Sequence, residues 1–152
     1  MRRDVRQKIE QMIATLQWKE DDAKGTEIHA VEDLLSELRQ ISRQTTRLNG
    51  IAAVVDKPSL QELVVIMAGS HWALVWFPEG YEGIGSCHTI PETFDPDIDV
   101  LPEDPEVVTY FMFGHHSEIP LEYTISEDDA LRGVQEFFDA ITRPPSLKWE
   151  LD

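Results

Sequence analysis

Residues 125–151 hold a helix that cannot stand by itself. Ser126 is placed to cap it, and Asp129 three residues on completes a capping-box-like pair. Glu127, Asp128 and Asp129 bring negative charge to the first turn, where the helix dipole favours it. Ala130, Leu131, Val134, Phe137, Phe138 and Ile141 then recur at the helical interval on one face. Each phenylalanine contributes roughly 1.5–3 kcal/mol once fully buried, so this face demands an apolar surface to lie on. Pro144 and Pro145 stop the helix, because proline has no N–H to donate and restricts its predecessor. Beyond them Leu147, Trp149 and Leu151 alternate with Lys148 and Glu150, the pattern of a short strand. The chain upstream must supply a sheet.

Candidates for that sheet follow Ile51, where the apolar period shortens. Residues 51–55 form a short apolar run, and residues 60–68 are rich in β-branched side chains. Gly69-Ser70 predicts a tight hairpin into residues 71–77. There Trp72, Leu74 and Trp76 share one face and Ala73, Val75 and Phe77 the other. Both faces are apolar, so the strand is expected at the centre of the sheet, covered at least partly on both sides. Residues 84–90 and 107–113 read as further strands, and residues 121–125 lead into the capped helix. Helical spacing recurs earlier, with Val5, Ile9, Met12, Ile13 and Leu16 in residues 4–17. It is stronger in residues 27–42, through Ile28, Val31, Leu34, Leu35, Leu38 and Ile41, with Thr26 as the expected cap behind Gly25. Asn49-Gly50 is a turn signal. The expectation is one α+β domain over residues 1–152. It has a mostly antiparallel sheet of about five to six strands, with N-terminal helices and a C-terminal helix packed on it. Residues 1–24 would form a helical extension.

Charge narrows the function. The 152-residue chain carries a net charge of −16, and the excess is uneven. Residues 1–50 hold nine bases and nine acids, whereas residues 51–152 hold four bases and twenty acids. Direct nucleic-acid binding needs a basic face to displace counterions, so it is disfavoured. A cationic partner, such as a protein that itself grips nucleic acid, is favoured. No apolar run is long enough to span a bilayer, and no signal peptide is visible behind Met1-Arg2-Arg3-Asp4. The single cysteine, Cys87, excludes an internal disulfide and fits a reducing cytoplasm.

Few residues suggest chemistry. His71, His88, His115 and His116 are the candidates for a metal, but no ligand spacing accompanies them. Cys87-His88 places a thiol beside an imidazole without a recognisable orienting acid. Gly83-Ile84-Gly85 lacks the third glycine and the helix of a phosphate loop. Residues 91–106 are more distinctive. They hold Glu92, Asp95, Asp97, Asp99, Glu103, Asp104 and Glu106, with no base, punctuated by Pro91, Pro96, Pro102 and Pro105. Such a segment is expected to be a long exposed loop whose carboxylates meet Arg and Lys of a partner. Tyr81, between Glu79 and Glu82 in a glycine-rich loop, is either an aromatic anchor of the same surface or a tyrosine folded back over the sheet rim.

These features combine into a resemblance. A helix over Val31 to Ile41 precedes a hairpin containing Ala73-Leu74-Val75-Trp76. A strand carrying Tyr110 and Gly114 follows, then Glu118-Ile119-Pro120 and the helix start Ile125-Ser126 with Ala130. Glu136-Phe137-Phe138 and Arg143-Pro144 with Leu147 and Trp149 close the pattern. The chain resembles, over residues 28–150, the first-numbered immunity-protein family of bacterial polymorphic toxin systems, whose members usually stand beside deaminase-type toxins. It departs from that pattern in having Ile141-Thr142 where the family has a glycine before Arg-Pro, and in a longer acidic loop. The resemblance implies a cytoplasmic antidote with no cofactor and no catalysis. It would bind a toxin bearing a basic nucleic-acid-binding face and block its active site. The alternatives are a small metal-dependent enzyme built on the four histidines and an acidic interaction adaptor. A homo-oligomer is compatible with either.

Overall fold

Strand His71–Phe77 sits inside a sheet, as its two apolar faces require. The computed structural model describes residues 13–19, 25–57, 61–78, 86–139 and 143–151. In chain order these form β1 (Ala14–Gln17), β2 (Thr26–Ile28), α1 (Val31–Ser42), β3 (Gly50–Asp56), β4 (Glu62–Ala68) and β5 (His71–Phe77). Then come β6 (Cys87–Ile90), β7 (Val107–Met112), β8 (His115–Pro120), a 3-10 turn (Leu121–Tyr123), α2 (Glu127–Asp139) and β9 (Lys148–Leu151). The strands run in the order β2-β1-β3-β4-β5-β6-β9, antiparallel throughout. β3 divides one edge between two neighbours. Its C-terminal half pairs with β1, and Gly50 and Ile51 pair in parallel with Tyr110 and Phe111 of β7. Gly50 permits this junction: a Cβ there would fall 2.8 Å from the Ala68 Cβ and the Met67 carbonyl, and 3.0 Å from the Thr109 carbonyl.

One face of the sheet is covered by the two helices. Leu34, Leu38 and Ile41 of α1 and Leu131, Val134 and Phe137 of α2 join Leu16, Val55, Leu63, Val65, Met67, Trp72 and Leu74 in the main core. The Ser126 hydroxyl accepts the Asp129 N–H at 3.1 Å, capping α2 as expected. Gly133 lets α2 lie close, since a Cβ would run into Leu147 and lie 2.8 Å from Leu74 Cδ1. At the other end, the Lys57 ammonium donates to the Phe137 carbonyl and lies 4.5 Å from the Phe137 ring centroid. That places a cation at the negative end of the dipole. Burial lowers the Lys57 pKa, and the Asp139 charge opposes the shift.

The β7–β8 hairpin covers the opposite face. Ala52, Val54, Val64, Ile66 and Ala73 are buried there against Tyr110, Met112, Phe113 and Ile119. A two-residue turn, Phe113 (φ 49°) and Gly114 (φ 82°), joins the two strands. Positive φ at both central residues matches the twist of a hairpin. Phe113 is an unusual occupant, held by packing of its ring on this second core.

Several expectations are corrected. The described residues contain nine strands and two α-helices, a sheet-dominated fold rather than five to six strands carrying N-terminal helices. Residues 14–17, expected to end a helix over 4–17, form β1, because Ala14 and Leu16 alternate with half-exposed neighbours. The remainder of that stretch lies outside the described residues. Thr26 does not cap a helix but opens β2, where Ile28 is buried opposite Ala14. The helix starts at Val31, behind Ala30, without a side-chain cap. The turn expected at Asn49-Gly50 closes one residue earlier, between Thr46 and Asn49. β8 was not expected as a strand; as an edge strand with one wet face it carries little apolar signal. Trp149 of β9 is half-buried, its indole N–H donating to the Pro144 carbonyl at 2.9 Å. Among the described residues no helix is long and apolar enough to cross a membrane.

Candidate protein-interaction surface

The acidic loop, residues 91–106, is tied to the body at both ends. At its start the Phe94 N–H donates to the Pro91 carbonyl at 3.0 Å, and the Phe94 carbonyl accepts the Lys148 ammonium at 2.5 Å. The Phe94 ring stands edge-on to Tyr123, centroids 5.4 Å apart. At its end the Glu106 carboxylate lies 3.6 Å from the Arg47 guanidinium, and the Glu106 carbonyl accepts the Leu121 N–H at 2.8 Å.

Between these anchors Asp95 and Asp99 build a turn. The Asp95 carbonyl accepts from Ile98 and Asp99, its carboxylate from the Asp97 N–H at 3.0 Å, and the Asp99 carboxylate from the Asp95 N–H at 2.7 Å. Two of the carboxylates that were expected to face a partner thus each accept a backbone N–H within the loop. Glu92, Asp97, Glu103 and Asp104 are exposed, as is Glu106 beside Arg47. With them stand Ile98, 75% exposed, and Val100, 91% exposed. These two aliphatic side chains are raised into water on the same segment that carries the exposed carboxylates. Sequence reasoning counted the acids and passed over Ile98 and Val100. The alternation Asp97-Ile98-Asp99-Val100 was the available signal. Glu79, Tyr81 and Glu82 lie outside the described residues.

Beneath the loop's first anchor lies a cavity of about 390 Å³ between the sheet and the β7–β8 hairpin. Val64, Ile66, Val75 and Met112 give it apolar walls, with Tyr110, Tyr123 and His88 supplying polar groups. The His88 ring stacks on Tyr123 at 5.2 Å, and its Nε2 lies 3.7 Å from the Glu150 carboxylate across the β6–β9 pair. Burial raises the Tyr123 pKa, and the Glu150 charge adds to the shift, so the phenol stays protonated.

The four histidines are not brought together. His71 faces Thr124 at 3.4 Å, His88 lines the cavity, and His115 and His116 lie exposed on β8. Among the described residues no three His, Cys, Asp or Glu side chains are grouped to hold a metal. Cys87 is buried and accepts from the Arg143 guanidinium at 3.1 Å. As neighbours on a strand, Cys87 and His88 point to opposite faces, and they line separate cavities. No protein-family model matches the chain, and no curated protein matches it in sequence.

Proposed function

We propose that this chain is an immunity protein that binds and neutralises a polymorphic toxin, most simply a nucleic-acid deaminase, in the cytoplasm of the producing cell. The carrying observation is the anchored loop that exposes Ile98 and Val100 together with Asp97, Glu103 and Asp104. An enzyme acting on nucleic acid bears a basic groove, and an acidic surface competes for it by charge while the aliphatic pair excludes water from the contact. Because Asp95 and Asp99 already tie residues 95–99 into a turn, that part of the loop has less entropy to lose on docking. The pattern from Val31 to Trp149 that resembles the immunity family supports the same conclusion. Neutralisation would be steric, with no chemistry by the antidote itself.

Co-expression with the toxin domain encoded beside it tests this. The expected result is restored growth and a complex that co-purifies with the deaminase active site closed to substrate. Persistent toxicity with no complex, from two soluble proteins, would contradict it.

A further inference from the structure

The β7–β8 hairpin leaves a strand edge with a definite hydrogen-bonding register. Met112 and His115 flank a two-residue turn, so they form a directly hydrogen-bonded pair. Alternation along the ladder then makes Tyr110/Ser117 and Val108/Ile119 bonded pairs and Phe111/His116 and Thr109/Glu118 non-bonded pairs. The Thr109 N–H confirms the phase, since it turns away from β8 to the Arg47 carbonyl at 3.0 Å. The backbone N–H and C=O groups of His116 and Glu118 therefore point outward. Among the described residues β8 pairs with β7 alone.

We propose that this edge pairs with the same edge of a second copy, antiparallel, with Ser117 on the two-fold axis. In that register His116 faces Glu118 of the partner copy and Glu118 faces its His116. Outward backbone groups then meet outward backbone groups, giving four main-chain hydrogen bonds. The facing Cα atoms stand about 5.5 Å apart, within reach of an imidazole–carboxylate bond on the same face. An imidazole N–H donates to a carboxylate whether or not the ring is charged. His116 is already oriented by edge contact with Phe111, centroids 5.1 Å apart, and Phe111 is itself 42% exposed on that face. Moving the register by one residue would oppose outward groups to inward ones, and moving it by two would set like residues against each other. Self-complementarity selects a second copy over an unrelated strand.

Sedimentation velocity over a roughly hundredfold concentration series tests it, since a dimer of this kind follows mass action. The native chain is expected to dimerise. Glu118→Pro removes only an outward N–H, so it should abolish the dimer while leaving the melting temperature of the monomer unchanged. His116→Glu places carboxylate against carboxylate and should weaken association by about tenfold or more. His116→Glu combined with Glu118→Lys should restore it. A chain that stays monomeric throughout would overturn the proposal. So would a dimer indifferent to Glu118→Pro, or a double variant no better than the single one. Loss of toxin capture, rather than of self-association, in Glu118→Pro would assign the edge to a partner strand and equally overturn it.

Discussion

Glu62 carries a carboxyl whose environment works against its charge. It stands opposite Asp56 across the β3–β4 ladder. Burial first, then a hydrogen bond to Asp56 and its negative charge, push the Glu62 pKa from an ordinary 4.5 up to about 7. Between those values the folded chain holds more protons than the unfolded one, so stability falls as pH rises and levels off above 7. Glu62→Gln keeps a hydrogen-bonding group and removes the ionisation. Denaturant titrations should show the variant gaining on the native chain at pH 8 and not at pH 4. Parallel stability–pH curves for the two proteins would contradict this account of the pair. None of it is visible in sequence, because Asp56 and Glu62 become partners only when the register of the hairpin is known.

At the scale of elements, the loop spanning residues 91–106 divides its carboxylates between two tasks. Asp95 and Asp99 hold the turn, whereas Asp97, Glu103 and Asp104 are exposed. Reversing the exposed three to Lys should therefore weaken binding of the proposed toxin partner by about tenfold or more and flatten its salt dependence, without lowering the melting temperature. Asp99→Ala should act differently, loosening the turn and weakening binding through an added entropic cost while the salt dependence persists. Calorimetric titration of each variant separates the two effects. The sequence made this loop legible as an acidic, proline-punctuated segment, but not its internal bonds. The same contrast holds elsewhere. β4, β5 and α2 were readable because each buries a continuous apolar face, so their pattern is uninterrupted. β1 and β2 are only four and three residues long, too short for period two to stand out from helical spacing nearby. β8 hides because an edge strand with Glu118 and two histidines needs no apolar alternation.

Across the whole molecule, the sheet joins distant stretches of chain so that one face is closed by helices and the other by a hairpin. The acidic loop bridges β6 and β7, held by Lys148 from β9 and by Arg47 from the turn after α1. A net charge of −16 thus comes with a fixed place to present part of it. That combination is what an antidote to a cationic enzyme requires, since long-range attraction speeds encounter and a shaped surface secures it. The most direct test is the equilibrium titration of this chain with the purified toxin domain of the proposed cognate pair, at low and at physiological salt. The account predicts a stoichiometric complex whose affinity falls as salt rises and whose formation silences the toxin. Absence of binding at both salt concentrations would contradict it.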